Sequence, residues 1–506
     1  MIWHIFRKDT RLLWPFAALA ALVHGINAVA AAFSNGIDAL FIASMPLALV
    51  SLLSLVVLVV SVAQQDQVPG ERQDWLIRPI NRLHLVAAKL LFVVLVGLAP
   101  LYVADVALGL ARQLPLGDVL AASLRRSTAL LCFICLPTLI VAAVTRTLTE
   151  FVVTVVVAAV AFTGLYALMP AVGWVDTLTG SEISWIRTGI WAVLSVLAAL
   201  TLLPLQYVGR RTARTRWLSG GVLVCALLAT LLPWRTGFAI QQRFAPQPGA
   251  GAAVGLEYDP TAPVRLVRGG RQAGRDGALL MFKLRAANLP GNTQLRLDHY
   301  TVRVLDSAGK ALYQGESSLR LALSPEAGSP LRQEDGAGAP VVAQQAVELT
   351  SPLPLHGAGQ TLRVEIDYSL TLFHVVSRDW LADLSNNQWL AGFARCTNGP
   401  RMGDAVSLAC LSTHPWRACL TGYHVDKETG KKSWLLDSCD TVDYAPFAGA
   451  LWRDAYFRFG WFGTGLRFPT AAHTADNPAA SANLVETLLP QDYFTRRVVI
   501  PQFRVP

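Results

Sequence analysis

The sequence predicts an α-helical, polytopic membrane domain of about seven spans, followed by a mainly β, sandwich-like domain outside the membrane. Three observations predict it. Between Leu12 and Trp234 the chain is a series of uncharged apolar runs, each near the roughly 20 residues that cross a bilayer, and after Trp234 such runs stop. The composition, 53% hydrophobic and only 15% charged, is the average expected of a membrane half diluted by a polar half. The second half carries short stretches in which apolar and polar residues alternate strictly, as in half-buried strands.

The expected organisation is a surface helix over 1–11, a transmembrane domain over 12–235, a linker over 236–252 and a β-rich domain over 253–506. The candidate spans are Leu12–Phe33, Leu40–Ala63, Leu85–Ala111, Ser127–Val144, Phe151–Val172, Trp185–Val208 and Trp217–Trp234. The first is too long for a signal-peptide core and is followed by more spans, so it reads as retained. Lys and Arg near the span ends set the orientation. Arg7, Lys8 and Arg11 precede span one; Arg72, Arg78, Arg82 and Lys89 surround the connection after span two; Arg146 follows span four; and Arg210, Arg211, Arg214 and Arg216 follow span six. These regions alternate correctly for a cytoplasmic N-terminus and an extracytoplasmic C-terminal half, as in a multi-pass protein of the bacterial inner membrane. The loop Arg112–Arg126 dissents, with Arg112, Arg125 and Arg126 on the opposite side.

The first eleven residues, MIWHIFRKDTR, place Ile2, Ile5, Phe6 and Leu13 on one helical face and His4, Arg7, Lys8 and Arg11 on the other. Asp9 interrupts the apolar face. Such a helix suits the inner leaflet and its anionic headgroups; the plain alternative is an ordinary basic flank. Between spans two and three, Pro69-Gly70 reads as a turn, and Glu71, Arg72, Gln73, Asp74, Trp75 and Arg78 fit two helical turns, acids first and Arg78 last. Pro79 disfavours helix at Arg78. A short polar helix anchored by Trp75 between two long spans suits a lever; the alternative is a connecting loop.

The stretches IFRKDTRLLWP, DQVPGERQDWLIRPINRLHLVAAKLL and PTLIVAAVTRTLTEFV resemble the membrane subunit of ABC exporters whose permease and ATPase are separate chains. The resemblance covers about the first 210 residues. It implies an N-terminal surface helix at Met1–Arg11, an ATPase-coupling helix at Glu71–Arg78 and a re-entrant hairpin at Leu168–Trp185. It also implies two ATPase subunits that carry the ATP and Mg, and a second permease copy or homologue. The chain departs from the basic pattern by a seventh span and a large external domain. No G-x-x-x-x-G-K-[ST] phosphate loop is present, so this chain holds no cofactor of that kind; it reads as a transport subunit, not an enzyme. Membrane lipid and a periplasmic partner are the other expected contacts, with no nucleic acid. The alternative function is a membrane-anchored sensor or assembly scaffold whose external β-domain binds a ligand.

Polar residues within spans, His24, Asn27 and Asp105, are candidates to line a pathway, or they bridge helices. Pro46, Pro100, Pro137 and Pro204 are candidates to kink their helices. In the second half, Tyr300–Val304 and Leu362–Tyr368 alternate as strands, while Asp306–Gly309 and Asp426–Gly430 read as turns. Cys396, Cys410, Cys419 and Cys439 form an even, local cluster expected to make two disulfides; the alternative is a metal site. Short loops close most easily, which favours Cys396 with Cys410 and Cys419 with Cys439. No H-E-x-x-H or G-x-S-x-G motif is present, and His356, His374, His414 and His424 lack ligand spacing. The Tyr456–Phe462 segment reads as a buried strand or a binding patch.

Overall fold

The structure is a computed structural model. It describes residues 1–33, 38–65, 81–111, 116–168, 183–209, 211–270, 274–323, 341–349, 361–381, 388–390, 394–398, 405–412, 419–426, 432–439, 462–469 and 481–504. The first half is helical: α1 (Ile2–Phe33), α2 (Asp38–Gln64), α3 (Arg82–Phe92), α4 (Ala99–Ala111), α5 (Leu116–Leu130), α6 (Leu136–Val144), α7 (Leu148–Leu168), α8 (Ser184–Tyr207), α9 (Thr212–Thr230) and α10 (Trp234–Arg243).

Two of the breaks are not breaks in the rod. Val93–Leu98 joins α3 to α4, and Leu131–Cys135 joins α5 to α6, each as a π-helical turn in which Ala99 N–H donates to Val94 O and Leu136 N–H to Leu131 O. The cause is readable in the chain. A proline ring collides with the carbonyl four residues back. Pro100 and Pro137 set that collision at Val96 and Phe133, inside the two π turns. The helix accommodates each ring by widening locally.

Among the described residues, three helical stretches are long and apolar enough to cross a membrane: Arg82–Ala111, Val119–Val144 and Trp185–Tyr207. A fourth qualifies only if Thr212–Ala229 and Trp234–Arg243, bent by 83°, form one span. Seven spans are therefore not supported. Leu49–Gln64 and Leu148–Gly164 are shorter apolar stretches within α2 and α7. The seventh run also ends earlier than expected, because α9 stops at Thr230 and the chain turns sharply before Trp234. Two further boundaries differ from the sequence reading. Met1–Arg11 is not a separate helix: α1 continues through Pro15 to Phe33. And the fourth run starts at Leu116, so that Arg126 lies inside a helix rather than in a loop.

The helices share a core of Phe6, Leu55, Leu58, Val62, Ala88, Phe92, Leu139, Ala142 and Leu202. α1 packs on α2, α3 and α4, α2 on α6, and α8 on α6 and α9.

The second half is made of β-sheets. Strands β1 (Gly255–Asp259), β2 (Arg265–Gly270), β3 (Gly274–Ala287) and β6 (Val341–Leu349) form one four-stranded sheet. β4 (Thr293–Asp306), β5 (Ala311–Leu323), β7 (Thr361–Leu381), β11 (Cys419–Asp426), β12 (Lys432–Cys439) and β14 (Ser481–Arg504) form a six-stranded one, in the order β12-β11-β14-β7-β4-β5. β8 (Gln388–Leu390), β9 (Ala394–Asn398), β10 (Ala405–Ser412) and β13 (Phe462–Pro469) form a third. The two alternating stretches read from sequence pair with each other: Tyr300 lies opposite Tyr368, Val302 opposite Ile366 and Val304 opposite Val364. All six are buried. They join Leu256, Phe282 and Leu284 of the first sheet in one core, each aliphatic side chain worth about 1.5–3 kcal/mol on burial. The Asp306–Gly309 turn links β4 to β5, with the Asp306 carboxylate accepting from the Ala308 and Lys310 N–H groups and Gly309 at φ 83°.

The expected linker over 236–252 is ordered instead. Its first part continues α10, and residues 249–254 are held to β14. Asp492 accepts from the N–H groups of Gly249 and Gly251, while Arg496 donates to the carbonyls of Gly251, Ala252 and Val254. A Cβ at Gly251 would lie 2.2 Å from the Phe494 ring, so only glycine lets this segment lie so close to β14.

Candidate functional site

One end of the helical bundle gathers the segments that flank the expected coupling loop. α2 ends there and α3 begins there, and the ends of α6, α8 and the starts of α7 and α9 are tied to them by polar contacts. Gln64 Nε2 donates to Thr145 Oγ1 at 3.2 Å, and Tyr207 OH donates to Ala63 O at 3.2 Å. Arg82 Nη1 donates to Val208 O at 2.6 Å. Arg216 donates from Nε and Nη2 to Val144 O, at 3.1 and 2.9 Å, and from Nη2 to Glu150 Oε1 at 2.8 Å.

The arginines counted for orientation thus have a second role. A helix C-terminus leaves carbonyls without intrahelical partners, and a guanidinium satisfies them while opposing the negative end of the dipole. Arg82 does this for α8 and Arg216 for α6. At the helix starts, Asn81 accepts from Leu83 N–H, and Thr147 with Glu150 makes a capping box in which Glu150 also accepts from Arg146 N–H.

The N-terminus belongs to the same end. Ile5, Phe6, Asp9 and Leu13 are buried, while His4, Arg7, Lys8 and Arg11 are exposed. Asp9, which interrupts the apolar face in the sequence, meets Lys89 of α3: Nζ lies 3.0 Å from Oδ2, and the two side chains are 1% and 0% exposed. The basic flank reading does not account for Lys89, whose charge is matched inside the bundle.

The residues expected to form the coupling helix, Glu71, Arg72, Gln73, Asp74, Trp75 and Arg78, lie outside the described residues, as does most of the re-entrant segment. Their anchoring points, Gln65 and Asn81, are both at this end.

Toward the other end, the three candidate pathway residues are buried or nearly so. His24 Nδ1 is hydrogen-bonded to Ser51 Oγ of α2, and Asn27 lies one turn further along the same helix. Asp105 pairs with Arg126 of α5 through Oδ1 and Nη1. That pair disposes of part of the charge dissent, since Arg126 is neutralised within the bundle. Sequence reasoning missed Arg126 as a partner because it placed the residue in a loop.

The helical and β halves meet at an aromatic joint. Trp234, at the start of α10, stacks on Phe238 and on His299 of β4, with ring centroids 5.7 and 5.0 Å apart. Its Nε1–H donates to Ser369 Oγ at 3.3 Å. Phe238 meets Tyr493 of β14 edge-on, and Ile183, just before α8, and Ile186 of α8 close the cluster. A Cβ at Gly237 would lie 2.6 Å from Ile183, so glycine is required for this approach. Burial, with Arg235 nearby and against the opposing pull of Asp298, lowers the His299 pKa to about 4.

In the β half, Cys419 is disulfide-bonded and lies directly opposite Cys439 in the β11–β12 pair. Cys396 lies directly opposite Cys410 in the β9–β10 pair. Cys132 and Cys135 are free and buried. Among the described residues, no group of three or more His, Cys, Asp or Glu is placed to hold a metal ion. The Tyr456–Trp461 stretch lies outside the described residues, and Phe462 opens β13. No protein-family model and no curated protein matches the chain.

Proposed function

We propose that this chain is the permease subunit of an ATP-driven exporter, with the ATPase on separate chains. One observation carries the reading: the ends of α2, α6 and α8 and the starts of α1, α3, α7 and α9 are brought to one end of the bundle and cross-tied there, around the two residues that flank the 66–80 stretch. A surface that receives a mechanical input needs its helix ends bound to one another, or the input dissipates in a single loop. On this reading the helical half crosses the bacterial inner membrane. The basic end is cytoplasmic and the β-domain, a sandwich with two disulfides, is outside. Two ATPase subunits that bind ATP and Mg press on Glu71–Arg78, and two permease copies enclose the route.

The test is purification of the full chain from its native membrane in mild detergent, with mass spectrometry of the chains that accompany it. An ATPase bearing a phosphate-binding loop is the expected companion. A kinase or regulator in its place supports a sensor or scaffold and overturns the permease reading.

A further inference from the structure

The span Arg82–Ala111 carries two buried ion pairs that join it to other helices. Lys89, near its basic end, is bound to Asp9 of α1, and Asp105, about 24 Å further along the axis, is bound to Arg126 of α5. Between these two fixed points lies the π turn Val93–Leu98. The second π turn, Leu131–Cys135, lies in the neighbouring span, and the two touch. A π turn holds one residue more than an α turn, with poorer hydrogen-bond geometry. Such turns are frequent at functional sites. The first π turn also packs tightly on α2: a Cβ at Gly97 would lie 3.2 Å from Leu55 Cδ1.

We infer that Arg82–Ala111 is a two-piece lever with its hinge at Val93–Leu98. The piece Arg82–Phe92 moves with the start of α1 through Lys89–Asp9. The piece Ala99–Ala111 stays with α5 through Asp105–Arg126 and with the part of α1 that packs on it. Because Asn81 and Arg82 directly follow residues 66–80, a force applied there swings the first piece against the second, and the facing π turn of the next span yields with it. The hinge itself follows from geometry; what drives it rests on the permease reading.

Deleting Leu95, a lipid-exposed residue of the π turn, removes the extra residue and restores an α turn while leaving both ion pairs in register. Amide hydrogen exchange of the full chain in nanodiscs reads the result. In the unaltered chain, Val93–Leu98 should exchange about tenfold or more faster than α3 and α4 on either side. In the deletion variant that excess should vanish, with the thermal midpoint unchanged or raised. Pro100→Ala, which removes the ring that widens the helix, should slow the same amides and serves if the deletion does not fold. Exchange at Val93–Leu98 no faster than in α3 and α4 of the unaltered chain overturns the hinge.

With the ATPase present, the deletion variant should bind it but lose most transport. Normal transport with the exchange excess abolished also overturns the lever. Absence of any ATPase from the unaltered chain sinks the permease reading instead, and leaves the exchange result standing.

Discussion

Lys89 and Asp9 are 80 positions apart in sequence, yet their charged atoms sit 3.0 Å apart in a place that water does not reach. Removing one member of such a pair leaves a buried charge less compensated, at a cost of up to about 3–5 kcal/mol, whereas removing both is far milder; Lys8, whose Nζ lies 3.7 Å from Asp9 Oδ1, keeps part of the compensation for Asp9. Asp9→Asn and Lys89→Met should each lower the thermal midpoint in detergent sharply, and the Asp9→Leu, Lys89→Met double variant should recover most of the loss. Equal loss in all three would show that the pair is not coupled.

The same logic applies to Asp105 and Arg126, with a different readout. Asp105→Asn removes the carboxylate that pairs with Arg126 and should reduce the amount of folded protein in the membrane. The exchanged pair, Asp105→Arg with Arg126→Asp, should restore it. Failure of the exchange while Asp105→Asn is tolerated would assign Asp105 a role other than neutralising Arg126.

How much of this was legible in sequence depends on the range of the interaction. Local causes were readable. The alternation at Tyr300–Val304 and Leu362–Tyr368 marked strands, and those strands pair with each other. Asp9 stood out as a charge on an apolar face, and Pro100 and Pro137 marked disturbed helices, although not that the disturbance is a π turn. Partners distant in sequence were not readable. Lys89 was counted as a basic flank, and Arg126 as evidence against the orientation. The 236–252 stretch read as a linker because its composition is Pro- and Gly-rich, while the residues that order it, Asp492 and Arg496, lie more than 240 positions later. A signal for α10 was present, since Trp234, Phe238 and Gln241 recur at helical spacing and are buried. The coupling residues Glu71–Arg78 remain a reading of the sequence alone.

The cysteines give a covalent test. We expect two bridges, Cys396–Cys410 and Cys419–Cys439, from the register that sets each pair directly opposite. Alkylation of the native, non-reduced chain followed by peptide mapping should find three free thiols, Cys132, Cys135 and Cys225. Cys419→Ser should destabilise the β-domain by about 2–4 kcal/mol. Seven alkylated cysteines would refute both bridges.

His299 should give the aromatic joint an acid sensitivity. Its folded-state pKa of about 4 lies below the ordinary value of 6.5, so the unfolded chain binds the proton more tightly. The stabilisation is complete above pH 6.5 and is lost as pH falls toward 4, for a total of about 3 kcal/mol. The charges that face the ring are Arg235 and Asp298, and Arg235 is itself held by Glu316. Unfolding followed by Trp fluorescence should show the midpoint dropping across this window, and His299→Gln should flatten that drop. A midpoint equally acid-sensitive in His299→Gln would place the sensitivity elsewhere.

The most direct test of the central claim is ATP hydrolysis by the co-purified complex in nanodiscs, comparing the unaltered chain with the Arg72→Glu, Trp75→Ala double variant. Both residues belong to the 66–80 stretch, whose flanking helix ends the bundle ties together. The account predicts that the double variant still inserts and folds but loses the ATPase, or loses the coupling of hydrolysis to transport. A double variant that binds the ATPase and stimulates it as the unaltered chain does would contradict the account.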